Sequence, residues 1–340
     1  MAQHNLIAVD LAKDIFQVCG MTACHKVVFN QSIKRNKLLE FMTKQPPVTV
    51  AMEACYSSHH WARCFESLGH QVKLLPAQHV SPFVRGNKSD HNDALAIAEA
   101  SLRPNILAVP IKSEAQQTLQ SLHRMRERHT AHRTGLINQT RGLLSEYGII
   151  APRGHSAFCH MVAQISSPEC ADVPSLLKQQ LLPITQEYTW HTQRIDELTK
   201  AFSTIANKNP LCQLLLTIPG IGPVNATAIY SAIGNGSQFK EAREFAVWLG
   251  LTPRQFSSGG SFKSAGITKR GDRYLRKQLV HGARAVMSRS KNKTDKLSCW
   301  VNQLVARRGK QKACVALAAR MARLAWVILH KLEPYQAQYK

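Results

Sequence analysis

The stretch Asn5-Leu6-Ile7-Ala8-Val9-Asp10 is an apolar run that ends on a carboxylate. A short run of this kind reads as a buried strand. A second run of the same design follows at Val48-Thr49-Val50-Ala51-Met52-Glu53. Between them, residues 16–21 and 26–32 are strand candidates at hairpin spacing, and residues 35–44 read as a helix that Pro46-Pro47 ends. Residues 57–68 then read as a helix, 71–75 as a strand and 78–84 as a short helix. Ser89 stands as the N-cap of a helix over residues 90–100. The order is three strands, helix, strand, helix, strand, helix. That is the order of a ribonuclease-H-like α/β fold, with the first three strands antiparallel and the later ones parallel to the first.

The chemistry lies in where the acids fall. Asp10 and Glu53 each close a buried strand, and Asp90 and Asp93, three apart, share one face of a helix turn. Like charges about 5 Å apart repel by roughly 3 kcal/mol at an effective dielectric near 20. Four carboxylates together therefore require cations. Two Mg²⁺ ions about 4 Å apart would neutralise them and activate oxygens in phosphodiester cleavage. Taken singly, Asp10 also reads as the start of a turn and Asp90 as a charge at a helix N-terminus. His59, His60, His79 and His91 read as surface or packing residues, and Cys19 and Cys24 lack a zinc-ligand pattern.

With 340 residues and 44% hydrophobic content, the chain can bury two or three cores, which excludes global disorder. Lys and Arg number 44 against 21 Asp and Glu, a formal charge of +23. The excess is uneven. Residues 1–105 and 106–210 each hold 11 basic and 8 acidic side chains, whereas residues 211–340 hold 22 and 5. A polyanion, most often nucleic acid, is the expected partner of that last third. No run of about 18 apolar residues argues for a membrane span. The start Met1-Ala2-Gln3-His4 has no signal-peptide character, and nine scattered cysteines fit a reducing cytoplasm.

Residues 113–147 lack proline and carry Leu119, Leu122, Met125, Leu136, Leu143 and Tyr147 near heptad spacing, with a weak seam at His129 and His132. Such a helix spans about 50 Å. Residues 175–206 resume the periodicity. Two such arms pack on each other within one chain or pair with another protomer. The expected division is residues 1–110, 111–208 and 209–340.

The last third holds Thr217-Ile218-Pro219-Gly220-Ile221-Gly222-Pro223 between two helical runs, a helix-hairpin-helix pattern. Gly220 and Gly222 let backbone amides approach a phosphate; the alternative is a plain helical turn with glycine for steric reasons. A helix at residues 241–249 leads into Pro253-Arg254-Gln255-Phe256-Ser257-Ser258-Gly259-Gly260-Ser261, read as a small, flexible, polar loop. Lys263, Lys269, Arg270, Arg273, Arg276 and Lys277 follow, the last three on one helix face. A serine facing arginines suits in-line attack on a phosphodiester, yet no local acid or histidine pair supplies a base.

These residues resemble the insertion-sequence transposases of the IS one-ten type, in the eleven-eleven branch. These are DEDD transposases that act as RNA-guided serine recombinases. The likeness rests on Val9-Asp10, Met52-Glu53-Ala54 and Lys88-Ser89-Asp90-His91-Asn92-Asp93-Ala94 in a RuvC-like half. In a transposase half it rests on Ile218-Pro219-Gly220-Ile221-Gly222, Gly250-Leu251-Thr252-Pro253, Ser258-Gly259 and Ile267-Thr268-Lys269-Arg270-Gly271-Asp272-Arg273-Tyr274-Leu275-Arg276. The resemblance implies that Asp10, Glu53, Asp90 and Asp93 bind Mg²⁺. It places the nucleophile on Ser258, five residues after Pro253, with Ser257 as the adjacent alternative. It implies DNA and a structured non-coding guide RNA as partners, a homo-oligomer whose protomers build a composite site, and a bacterial cytoplasmic setting. A metal-dependent Holliday-junction-type nuclease without a covalent serine step is the alternative enzyme. A non-catalytic nucleic-acid-binding protein is the alternative outside catalysis.

Overall fold

A computed structural model of the chain describes residues 4–337 apart from residues 88, 151–153 and 168, and leaves aside the side chains of residues 182, 257, 258, 261, 262 and 264. The chain divides into two compact units, Met1–Ser113 and Glu114–Lys340.

In the first unit, β1 (His4–Asp10), β2 (Ile15–Thr22) and β3 (Val27–Lys34) lead into α1 (Arg35–Thr43) and β4 (Thr49–Glu53). Next come α2 (Ser58–Ser67), β5 (Gln71–Leu75), α3 (Ala77–Val80), a 3₁₀ turn (Ser81–Phe83) and α4 (Asp90–Ser101). The five strands form one mixed sheet in the order β3-β2-β1-β4-β5. β2 runs antiparallel to β1 and β3, while β4 is parallel to β1 and β5. This is the ribonuclease-H-like arrangement. Its central strands are apolar throughout because both faces are covered. Ile7 and Val9 face a core with Phe16, Leu38, Met42 and Phe65. Leu6 and Ala8 face the opposite one, with Ala94, Ile97 and Ala98 of α4. The small residues let α4 lie close to β1 and β2, which brings its first turn to the end of the sheet.

The second unit is mainly helical: α5 (Glu114–Ser145), α6 (His155–Ser166), α7 (Ser175–Lys208), α8 (Pro210–Leu216), α9 (Pro223–Ile233) and α10 (Ala242–Trp248). A hairpin of β6 (Pro253–Ser258) and β7 (Ser261–Ile267) precedes α11 (Arg273–Ser288), α12 (Lys296–Arg308) and α13 (Lys310–Lys331). Helix α13 is long and apolar enough to cross a membrane by composition, contrary to the sequence reading, but 61% of that stretch is buried. Its Leu317, Met321, Ala325 and Ile328 form the unit's main core with Ile218, Ile229, Phe245 and Leu279.

The arm differs from the heptad expectation. Met125, Leu143 and Tyr147 are exposed, whereas His123, His129 and Thr140 are buried. The seam of α5 is therefore partly polar. His129 Nδ1 meets His191 Nδ1 of α7 at 3.0 Å, and Arg126 Nε donates to Thr199 Oγ1 at 2.9 Å. Leu119, Leu198 and Phe202 close with Val224 and Tyr230 of α9, so the arm helices belong to one unit with the helices that follow them.

His123 joins α5 to α9 and α11. Its Nδ1 lies 2.9 Å from the Tyr274 hydroxyl and its Nε2 3.1 Å from Thr227 Oγ1. The Thr227 hydroxyl already donates to the Pro223 carbonyl, so His123 donates through Nε2 and accepts from Tyr274. Burial, and then the Arg126 charge, push the imidazole pKa down to about 4. A folded-state value below the unfolded one gives stability that is present above about pH 6.5 and lost as pH falls toward 4. We expect unfolding in urea to lose on the order of 3 kcal/mol across that window. His123→Gln should flatten that slope; an unchanged slope in the variant would contradict the assignment.

Candidate active site

Asp10 and Glu53 are the last residues of β1 and β4, adjacent parallel strands in which Val9 pairs with Met52. Parallel neighbours lie about 4.8 Å apart, so the pairing alone sets the two acids side by side. Asp90 and Asp93 occupy the first turn of α4. Ser89 caps that helix, its Oγ accepting from the Asn92 amide at 3.3 Å, and the Asn92 side chain donates to the Asn87 carbonyl at 2.8 Å. A further bond, Asn30 Nδ2 to the His91 carbonyl at 3.0 Å, ties this turn to β3.

All four acids line one cavity of about 470 Å³, together with Val80, Ser81, Val84 and Gly86. No cationic side chain is among those lining residues. Asp10, Glu53 and Asp93 are half-buried and Asp90 is exposed. The negative field is felt next door: burial, then Glu53 and Asp10, push the Cys55 thiol up to about 11. Among the described residues, no three His, Cys, Asp or Glu side chains converge into a ready-made ligand set. The acids stand on the walls of the cavity, as mutual repulsion requires. The donor set is all carboxylate oxygen, without nitrogen or sulfur, and suits a hard cation of the Mg²⁺ or Mn²⁺ type.

Where the sequence predicts a flexible loop, the structure has the β6–β7 hairpin. Gly259 and Gly260 have φ of 53° and 79° and sit between the paired Ser258 and Ser261. Positive φ at both turn positions is what a two-residue hairpin of type I′ demands. The polar composition hides this hairpin because it packs on little: Phe256 is 59% exposed. Its base is rigid. A Cβ on Gly271 would fall 1.8 Å from the Trp248 carbonyl oxygen, and one on Gly250 would fall 2.1 Å from that of Arg270. Ser257 and Ser258 are placed by their backbone in β6.

The basic residues divide by what they touch. Lys263, Lys269, Arg270 and Arg273 are exposed. Arg276 instead donates to the carbonyls of Leu249 and Arg270 at 2.8 and 3.1 Å, bracing the hairpin base. Lys277 is paired with Glu127 of α5. In the helical hairpin, a Cβ on Gly220 would fall 2.8 Å from the Gly282 carbonyl of α11, so packing demands that glycine; Gly222 is open. Arg276 and Gly220 thus carry structural duties that sequence spacing does not reveal.

A ribonuclease-H-like sheet with carboxylates gathered at one end is the arrangement of metal-dependent enzymes that act on phosphodiesters, and the chain's relatives narrow that class to the transposases. The chain matches the family model described as "Transposase IS116/IS110/IS902 family" over residues 212–298 and the DEDD transposase model of the IS110 type over residues 7–149. It is 42% identical over 331 residues to a probable family 20 transposase of Pseudomonas aeruginosa, covering 97% of this chain and 98% of that one. It is 38% identical over 336 residues to the transposase for insertion sequence element IS1111A of Coxiella burnetii, covering 99% and 92%. A more distant relative, 22% identical over 358 residues and 97% of both chains, is a pilin gene-inverting protein of Moraxella lacunata. The chain belongs to the IS110/IS1111 family of transposases with a DEDD N-terminal domain. That domain implies use of a divalent metal.

Two outcomes follow. In EDTA, Glu53→Gln should raise the stability of the protein by about 1–3 kcal/mol, because a like charge is removed. With Mn²⁺ added the order should reverse, the wild type gaining stability and the variant gaining little; equal gains would contradict a shared site. Gly271→Ala should cost more than about 2 kcal/mol in urea unfolding, against about 1 kcal/mol for Gly259→Ala, which meets open space.

Proposed function

We propose that this transposase recombines DNA through a covalent phosphoserine on Ser258, supported by Asp10, Glu53, Asp90 and Asp93 holding Mg²⁺, with its DNA sites chosen by a structured non-coding RNA. The observation that carries the reading is the single cavity shared by four carboxylates from three distant parts of the sequence. A divalent cation held by Asp10, Glu53, Asp90 and Asp93 would supply charge neutralisation and Lewis acidity toward the reacting phosphate.

The chain's own residues do the rest. The Ser258 hydroxyl attacks the scissile phosphorus in line, the bond to the departing sugar oxygen breaks, and that oxygen takes up a proton. The serine–phosphate bond keeps the energy of the broken linkage, so a sugar hydroxyl of the recombining strand can later displace Ser258 and reseal DNA. The backbone places Ser258 at the end of β6, next to the two-glycine turn, where Gly259 and Gly260 meet open space and leave room for a duplex to approach. Exposed Lys263 on β7 and Lys269, Arg270 and Arg273 after it suit the charge of the transition state and of the strands beside it. Gly222, open at the start of α9, suits a backbone phosphate contact. A base for Ser258 comes from the acidic site, its own or a neighbouring protomer's. The exposed Met125 and Leu143 on α5, and Tyr147 just beyond its end, support assembly into such an oligomer. The inverting activity named for the Moraxella relative is itself a strand exchange and supports recombination over simple hydrolysis. The setting is the bacterial cytoplasm, where both nucleic acids are present.

The test combines protein, RNA from the element's end, DNA and Mg²⁺, and reads protease-sensitive protein–DNA adducts. Wild type should form them and Ser258→Ala should reduce them by more than about a hundredfold, on the scale of losing a nucleophile. Adducts lost in Ser257→Ala but not in Ser258→Ala would move the nucleophile. Nicked DNA without adducts would replace the scheme with metal-dependent hydrolysis.

A further inference from the structure

The first unit has a second cavity, of about 680 Å³, lined by Asp14, Lys34, Arg35, Asn36, His60 and Trp61 among others. The sheet register locates it. Ile15 pairs with Lys34 two residues beyond the level at which Asp10 faces Gln17. The cavity therefore opens at the same end of the sheet as the four acids. It lies on the opposite face, where α1 and α2 pack around Phe16 and Trp61. A strand crossing the sheet end from the acids runs onto it.

Its walls are built for an anion beside a flat ring. The Arg35 guanidinium lies 5.4 Å from the Phe16 ring centroid and 5.5 Å from that of Trp61, and its Nη1 donates to the Lys13 carbonyl at 3.4 Å. Stacking thus holds the guanidinium in place before any ligand arrives. Helix α1 starts here, nine residues long, and no side chain caps it. Its first amide, of Arg35, donates to the Asp14 carbonyl at 2.8 Å. Asn36, in the same turn, lines the cavity. Trp61 is 6% exposed, and its indole Nε1 is buried with no hydrogen-bond partner. Native proteins rarely leave such a donor unmatched, and an acceptor from outside the chain answers it. Lys34 in the wall and the adjacent Lys13 are exposed, Lys37 in the next turn is paired with Glu40 at 3.1 Å, and Asp14 is the one carboxylate among the lining residues.

We infer that this cavity binds a nucleotide, phosphate and base, of a strand that passes the end of the sheet where Asp10, Glu53, Asp90 and Asp93 stand. Aromatic faces interleaved with cations are the general means of holding single-stranded nucleic acid. The phosphate takes Lys34, Arg35 and the open start of α1, and the base lies on exposed His60 beside the edge of Trp61. The inference rests on the proposed role of the acids. Either an RNA or a DNA strand offers this chemistry.

The test uses the full chain with single-stranded oligonucleotides carrying 4-thiouridine in RNA or 4-thiothymidine in DNA. Ca²⁺ replaces Mg²⁺ to suppress cleavage, and crosslinked residues are read by mass spectrometry. Crosslinks at His60 or Trp61 are expected with at least one oligonucleotide, and the one that reacts names the source. Lys34→Glu, at an exposed site, should cut that yield by about fivefold and make the salt dependence of binding shallower by about 0.7 for each phosphate no longer neutralised. Arg35→Lys keeps the charge but not the stacking, and should lose crosslinks with the fold intact by circular dichroism. Crosslinks confined to residues 263–273, or an unchanged yield in Lys34→Glu, would overturn the inference. Mn²⁺ uptake measured on the same samples separates the two failures: retained uptake leaves the acid site standing, and absent uptake removes the reading beneath both.

Discussion

Four like charges must be held together at the end of a buried sheet, and much of the first unit follows from that constraint. The parallel pairing of β1 and β4 sets Asp10 beside Glu53. Helix α4 brings Asp90 and Asp93 to them, because its alanine-rich face lies close on the sheet. Their mutual repulsion is borne by a scaffold whose strands β1, β2 and β4 are largely buried. The acids stay on the walls of one cavity of about 470 Å³.

The second unit answers with the opposite charge and uses much of it for structure. Arg276 and Lys277 sit on the basic face of α11, yet one braces the hairpin and the other binds Glu127. The exposed set is narrower, centred on Lys263, Lys269, Arg270 and Arg273. Gly250 and Gly271 close the hairpin base so tightly that no side chain fits. Position at the tip is then controlled by backbone packing, while the two glycines of the turn meet open space.

The α/β half was legible almost residue by residue. Its strands are short apolar runs bounded by turn residues, its helix N-cap is a serine, and its acids close those strands, so local pattern and tertiary role agree. Legibility fell where polar residues build the interior. His129 reads as a defect in a heptad, yet it is buried against His191, while Met125 and Leu143 point outward. Ser-Ser-Gly-Gly-Ser reads as a loop because the run holds no apolar residue to mark a buried face; only the demand for two positive φ values betrays the β6–β7 hairpin. Gly220 shows the same limit, since a glycine that admits a phosphate and one that admits Gly282 are identical in sequence. Of the candidate site, the four acids could be read from their strand and helix positions. The buried donor of Trp61 could not, because only packing shows that it lacks a partner.

The most direct measurement loads the acid cavity with Fe²⁺ in the assembled complex with RNA and DNA, then generates hydroxyl radicals and maps cuts in the protein chain. Cuts at residues 256–261 as well as near residues 86–93, both lost in Asp93→Asn, are expected if serine and acids meet on one phosphate. Cuts confined to the acid cavity, with residues 256–261 untouched in every protomer, would contradict it.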